Sequence, residues 1–143
     1  MYNVLDVCRY VINYSNDKDY IISNLKFSFK LKLQKILYFI QAYFLINKNN
    51  ACFKEIIEAW DFGPVIPKAY SEYKQYGGGH IPSISSYIEM DSDNIWSVHR
   101  VKYNNNIISN ADKKMINDVI NQFAEYTATD LTSLSQNQAP WNN

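Results

Sequence analysis

Chemistry in this chain would have to come from a small stock of reactive side chains. There are two histidines, His80 and His99, and two cysteines, Cys8 and Cys52. A thiol beside an imidazole can ionise and act as a nucleophile, so Cys52 with His80 is the pairing to weigh. Nothing in the sequence orients that pair. Both cysteines lie among apolar neighbours, which reads as buried free thiols in a reducing compartment. No His-x-x-x-His or Cys-x-x-Cys spacing offers a metal two ligands. Gly77-Gly78-Gly79 is not a phosphate loop. Such a loop follows a strand and runs into Gly-Lys-Ser/Thr, whereas these glycines follow a helical pattern and stop it. Asp61, beside Trp60, has two readings: a buried acid awaiting a substrate, or a turn carboxylate taking hydrogen bonds near Gly63. The sequence therefore predicts no enzyme, no metal and no cofactor.

Binding is the other kind of function, and two features speak to it. Six lysines between Tyr20 and Lys54 (Lys26, Lys30, Lys32, Lys35, Lys48 and Lys54) are interleaved with Phe27, Phe29 and Tyr38, with no acid among them. Charge plus stacking can hold single-stranded nucleic acid. The competing reading is a solvated lysine face, and a formal net charge of zero argues against a phosphate-gripping protein. The second feature is aromatic excess: twelve tyrosines, seven phenylalanines and three tryptophans in 143 residues. Every buried tyrosine hydroxyl needs a partner, so some of these rings are expected at the surface. Aromatic rings anchor protein interfaces.

The elements that would position these groups can be read from periodicity. Residues 3–14 predict a helix with Val4, Leu5, Val7, Cys8, Val11 and Ile12 on its apolar face and Asp6, Arg9 and Asn13 opposite. Residues 29–46 predict the central helix, apolar nearly all round, with only Lys30, Gln34 and Gln41 on a narrow polar strip. Residues 56–60 read as a short strand and Gly63-Pro64 as a sharp turn. A helix follows, with Pro67 in its first turn and Val65, Ile66, Ala69, Tyr70, Tyr73 and Tyr76 on one face. Residues 84–90 and 95–103 predict an antiparallel hairpin around Asp91-Ser92-Asp93-Asn94. Ser109 or Asn110 caps a helix with Met115, Ile116, Val119, Ile120 and Phe123 inward and Asp112, Asp118, Gln122 and Glu125 in water. Thr127 or Thr129 opens a shorter one with Leu131 and Leu134 inward, and Pro140-Trp141 is expected to be tied down.

Several of these stretches together resemble a known family. They are Lys32-Leu33-Gln34-Lys35-Ile36-Leu37-Tyr38-Phe39-Ile40-Gln41, then Phe53, then Ile57-Glu58-Ala59-Trp60-Asp61-Phe62-Gly63-Pro64-Val65-Ile66-Pro67-Lys68-Ala69-Tyr70, then Tyr73-Lys74-Gln75-Tyr76-Gly77, with Leu131, Leu134, Pro140 and Trp141 near the end. They are similar to the Panacea domain, also called the SocA-like antitoxin domain. The resemblance implies a small, mainly helical bacterial or prophage protein without catalytic activity. It implies a protein partner, a toxin encoded next to it, and in some members delivery of that toxin to a protease. The chain departs from the family pattern where Asn24-Leu25-Lys26 is separated from Lys30, and where Ser135-Gln136-Asn137-Gln138 stands for the usual Thr-His-x-Glu.

The expected fold is thus α+β, mainly α: a single domain over residues 1–143, built around the helix at about 29–46. A small antiparallel sheet is expected, with the strand at 56–60 pairing with the 84–103 hairpin. The expected activity is non-catalytic neutralisation of a toxin. The predicted partner-binding residues are Trp60, Phe62 and Tyr70 around the turn, with Gln34, Tyr38 and Gln41 on the facing strip. Core packing is the competing explanation for each. The rival functions are a prophage-encoded inhibitor or adaptor of a host defence or regulatory protein, a nucleic-acid-binding autorepressor and, weakest of the three, a hydrolase. No signal segment or membrane span is expected, and the predicted location is cytoplasmic.

Overall fold

Helix α1 (Val4–Asp17) starts at Asn3, whose side chain accepts from the Leu5 N–H at 2.8 Å. The computed structural model describes residues 1–18, 29–61, 63–76, 80–91 and 93–123. Residues 20–28, Phe62, the glycines 77–79, the helix expected after Thr127 and the Pro140-Trp141 tail lie outside the described residues. Val4, Val7, Cys8, Val11 and Ile12 of α1 are buried as their spacing predicts. Arg9 is not on a solvated face: it is buried. Its guanidinium donates to Asp6 at 2.9 Å and lies 3.4 Å from the Tyr87 ring centroid. Its long apolar stem lets it pack inward while its charge keeps a carboxylate and a π face as partners.

Helix α2 (Phe29–Lys48) is the hub. It packs against α1, α3, α4 and β2. Leu33, Ile36, Leu37 and Ile40 are wholly buried, and each such aliphatic contributes about 1.5–3 kcal/mol of burial. Tyr38, Phe39 and Phe44 are buried too. After α2 the chain runs back along the N-terminus. Tyr2 N–H donates to the Cys52 carbonyl at 2.8 Å, and Tyr2 and Phe53 form an isolated parallel bridge.

The first sheet departs from expectation. Strand β1 (Glu58–Trp60) pairs with β2 (Gly63–Val65), in the register Glu58↔Val65, Ala59↔Pro64 and Trp60↔Gly63. It does not pair with the later hairpin. Gly63 has φ 110, open to glycine at no steric cost, and this lets the chain reverse after two residues. Local closure costs far less chain entropy than reaching a strand some thirty residues away. Pro64 is tolerated because both strands of this pair are edges. Val65 and Ile66, expected on the helix, lie in β2 and just after it. Helix α3 (Pro67–Tyr73) begins at the proline and tightens into a 3-10 turn at Lys74–Tyr76.

Strands β3 (Ser86–Asp91) and β4 (Asn94–Lys102) form a separate two-stranded antiparallel sheet, so the predicted hairpin is present. Helix α4 (Asn110–Phe123) buries Ile116, Val119 and Ile120, and Ser109 Oγ accepts from the Asp112 N–H at 3.2 Å. Asp112, expected in water, is buried. It takes Lys48 Nζ at 2.6 Å and the Tyr2 hydroxyl, so it ties the end of α2, the N-terminus and α4 together. Burial alone would raise its carboxyl. The hydrogen bonds from Lys48, Tyr2 and Ser109 outweigh that and hold it below the ordinary range.

Irregular segments buried among these elements take their backbone partners from helix side chains. Gln41 Oε1 accepts from Cys52 N–H at 2.7 Å and Phe53 N–H at 3.2 Å, while its Nε2 donates to the Phe53 carbonyl at 2.9 Å. Asn13 does the same for Ile84, donating to its carbonyl at 2.9 Å and accepting from its N–H at 2.7 Å. A buried N–H or C=O left unpaired costs about 1–3 kcal/mol. Gln41→Leu, which orphans three such groups, should therefore lower stability by at least about 3 kcal/mol in urea titration. Gln34→Leu, which removes a single bond, should cost roughly half as much. Equal and small losses would contradict this assignment.

Candidate functional site

The predicted partner-binding residues divide into two groups in space. Gln34, Tyr38 and Gln41 recur at helical spacing on α2 and lie inside the protein. Gln34 Oε1 accepts from the Ile66 N–H at 2.8 Å, one residue beyond β2 and one before α3. That N–H has no helical acceptor, because it precedes the helix, and the glutamine carboxamide takes the place of one. Gln34 Nε2 is buried without a partner among the described residues. Gln41 clamps Cys52 and Phe53, as above. Tyr38 is buried against Phe39, ring centroids 5.2 Å apart, and burial raises its hydroxyl pKa. Of the three, Gln34 holds the strand–turn–helix corner from beneath and Gln41 holds the 52–53 segment that leads to it.

Trp60 and Tyr70 form the second group. Their rings meet edge to face, 5.2 Å between centroids. Trp60 keeps 40% of its surface in solvent, Tyr70 is half-buried, and Trp60 Nε1 donates to Glu58 Oε1 at 3.0 Å. All three β1 residues are exposed and all three β2 residues are buried. The small hairpin therefore lies on the body by β2 and holds β1 outward. Asp61 is exposed, which removes the reading as a buried acid. Phe62 lies outside the described residues.

Two residues just before β1 were not among the predicted partner-binding residues. Ile56 is 71% exposed, directly before β1. Glu55 Oε1 accepts from Val4 N–H at 3.0 Å and its Oε2 takes Lys68 Nζ at 3.1 Å. A carboxylate there satisfies an orphan donor at the start of α1 and meets the positive end of its dipole, while fixing α3. The only hint in the sequence was an acid lying between two apolar stretches.

The other candidate chemistries do not assemble. Burial pushes the Cys52 thiol up to about 12, the opposite of what a nucleophile needs. Burial also drives the Cys8 thiol well above its ordinary range. His80 and His99 are exposed. Among the described residues no three His, Cys, Asp or Glu side chains gather at a metal-binding spacing. Two lysines of the stripe are not solvated: Lys32 and Lys35 are buried, and burial lowers the Lys35 ammonium to about 8. Lys48 is exposed and paired with Asp112, and Lys54 is exposed; Lys26 and the Lys30 side chain lie outside the described residues. No described helix is long and apolar enough to cross a membrane.

Comparison with known proteins adds a family to this geometry. The family described as Antitoxin SocA-like, Panacea domain, matches residues 33–142. Antitoxin SocA of Caulobacter vibrioides is 41% identical over 51 residues, which is 36% of this chain and 27% of that relative. The matched part thus spans about a quarter of the relative's length. No solved structure matches.

The raised thiol pKa values carry a pH signature. A thiol that keeps its proton in the folded state above the usual value of 9.0 contributes stability that is whole below about pH 9. That contribution is lost as pH rises toward the folded pKa. Between about pH 9 and pH 10 each thiol should cost roughly 1 kcal/mol of stability. The variant Cys8→Ala with Cys52→Ala should lack that loss in urea titrations at the two pH values. Lys35 acts in the opposite direction but is common to both proteins and cancels. Equal slopes for wild type and variant would contradict the assignment.

Proposed function

We propose, from the premise that the chain belongs to the antitoxin SocA-like, Panacea domain family, that it neutralises a toxin by binding it directly, without catalysis. The observation that carries this reading is the Trp60–Tyr70 pair, a partly exposed aromatic surface on a corner held rigidly from beneath by Gln34. Such a corner suits recognition. Tryptophan and tyrosine supply large contact area with few torsions to freeze, and a preorganised backbone spares the ordering cost of binding. Gln34, Tyr38 and Gln41 belong to the site as positioning residues beneath this surface. Exposed Ile56 and Glu58 extend it.

The proposed partner is a protein encoded next to this chain, met in the cytoplasm. Simple sequestration and delivery to a protease would use the same complex. They differ in whether toxin levels fall when the complex forms, which a chase of labelled toxin reads.

Co-expression with the neighbouring reading frame tests the proposal. The neighbour should arrest growth alone and be harmless beside this chain. Trp60→Ala and Tyr70→Ala should each weaken the purified complex by about tenfold or more, about 1.4 kcal/mol or above, with unchanged melting temperature. A harmless neighbour, or one still toxic beside this chain, would overturn the antitoxin reading. Full affinity in both variants would move the interface elsewhere.

A further inference from the structure

Strand β3 has β4 along one edge and, among the described residues, no strand along the other. From Ser86↔Lys102 to Met90↔Val98 its register on β4 is unbroken. One pair before that run, the Tyr103 N–H donates to the Ser85 carbonyl at 2.9 Å. Bonded and non-bonded pairs alternate along an antiparallel ladder. Ser86, Ile88 and Met90 therefore sit in non-bonded pairs, and their N–H and C=O groups point away from β4. Among the described residues no other backbone group takes them.

This free edge runs along a groove of about 680 Å³. Tyr87, Ile88, Glu89 and Met90 line it in succession. Neighbouring strand residues point to opposite faces, so a groove that touches all four follows the edge of the strand. Ile88 and Met90, 62% and 57% exposed, lie on the outer face. Tyr87 lies on the face toward the domain, where its ring meets the Arg9 guanidinium. The first turns of α1, with Asp6 and Arg9, and the exposed side of α3, with Lys68 and Glu72, stand across the groove. Arg9 is paired with Asp6, and Lys68 with Glu55. Glu72 and Glu89 are exposed and make no ion pair among the described residues. The charge left unanswered in the groove is therefore negative.

We propose that this groove takes an extended segment of another protein, added to the free edge of β3 as a third strand and carrying apolar and basic residues in alternation. A row of outward N–H and C=O groups at strand spacing is complemented by a second extended backbone. With α1 and α3 facing the edge, the occupant is a single strand and not the sheet edge of a second folded copy. On the added strand, residues opposite Ile88 and Met90 share their outer face, which selects apolar side chains. Residues between them turn toward the domain, beside Glu89 and Glu72, which selects lysine or arginine. A two-stranded sheet is marginal on its own, and a third strand strengthens it. Neither Trp60 nor Tyr70 lines the groove, so the inference does not rest on the toxin reading.

Fluorescence anisotropy with the full chain tests the proposal. The probe is a labelled peptide of about six residues, alternating valine and lysine. Binding is expected with a Kd of about 10–200 μM, weakening as salt rises. The valines lie opposite Ile88 and Met90, so their N–H groups face β3. Methylating the valine nitrogens should weaken binding at least tenfold, and methylating the lysine nitrogens, which face away, should change it by no more than a few-fold. Ile88→Pro removes an outward N–H and no bond to β4, and should weaken binding at least tenfold with circular dichroism unchanged. Should that variant disturb the hairpin, the methylated peptides still decide. Glu72→Lys with Glu89→Lys should weaken binding comparably and turn the preference toward a valine–glutamate peptide. No binding at about 200 μM chain overturns the proposal. So does equal affinity for the two methylated peptides, or indifference to the double charge reversal. A wild type that dimerises, with the dimer lost in Ile88→Pro, also overturns it and gives the edge to a second copy.

Discussion

Buried backbone must find hydrogen-bond partners, and in this fold helix carboxamides supply them where no strand can. Gln34 takes Ile66, Gln41 takes Cys52 and Phe53, Asn13 takes Ile84, and Asn16 Nδ2 donates to the Ile81 carbonyl at 3.2 Å. Each amide carries a donor and an acceptor on one rigid plane, so it can stand in for a neighbouring strand. The helices α1 and α2 thereby pass their order to segments with no regular pairing. The β1–β2 corner, the start of α3 and the entry to the β3–β4 hairpin all depend on these contacts.

Where amphipathic period decided the outcome, the fold could be read from the chain. Helix α2 was legible because almost every face of it is apolar, and such a helix must be central. The β3–β4 hairpin was legible from its alternation and its Asp-Ser-Asp-Asn turn. The pairing of β1 was not, because Gly63-Pro64-Val65 reads equally as turn and as strand. Only the folded path shows that the chain closes locally. Polar residues were the harder class. Gln34 and Gln41 read as a strip facing a partner, and Lys32, Lys35 and Asp112 as solvated. A carboxamide aimed at water and one aimed at a buried loop look the same in a sequence, since the loop's unpaired groups become visible only once it is folded.

The same distinction reshapes the candidate site. Six residues were expected to share one surface. Gln34, Tyr38 and Gln41 are buried on α2, and of these Gln34 bonds the backbone at Ile66, whereas Trp60 and Tyr70 pair at the partly exposed corner. In the proposed reading, affinity and rigidity fall to different residues of one motif. A substitution below would loosen the loop that presents the rings, and one above would remove contact area while leaving the fold intact. The outer face of β3–β4 is built differently, from strand alternation alone, and has no such buried support.

Native-state hydrogen exchange at the Ile66, Cys52 and Phe53 amides tests the central claim most directly. If the glutamines of α2 hold the corner, these three amides open only with the core of the protein. Their opening free energies then approach that of global unfolding. Exchange as fast as at the exposed β1 residue Ala59 would show that the corner moves independently of α2 and would contradict the account.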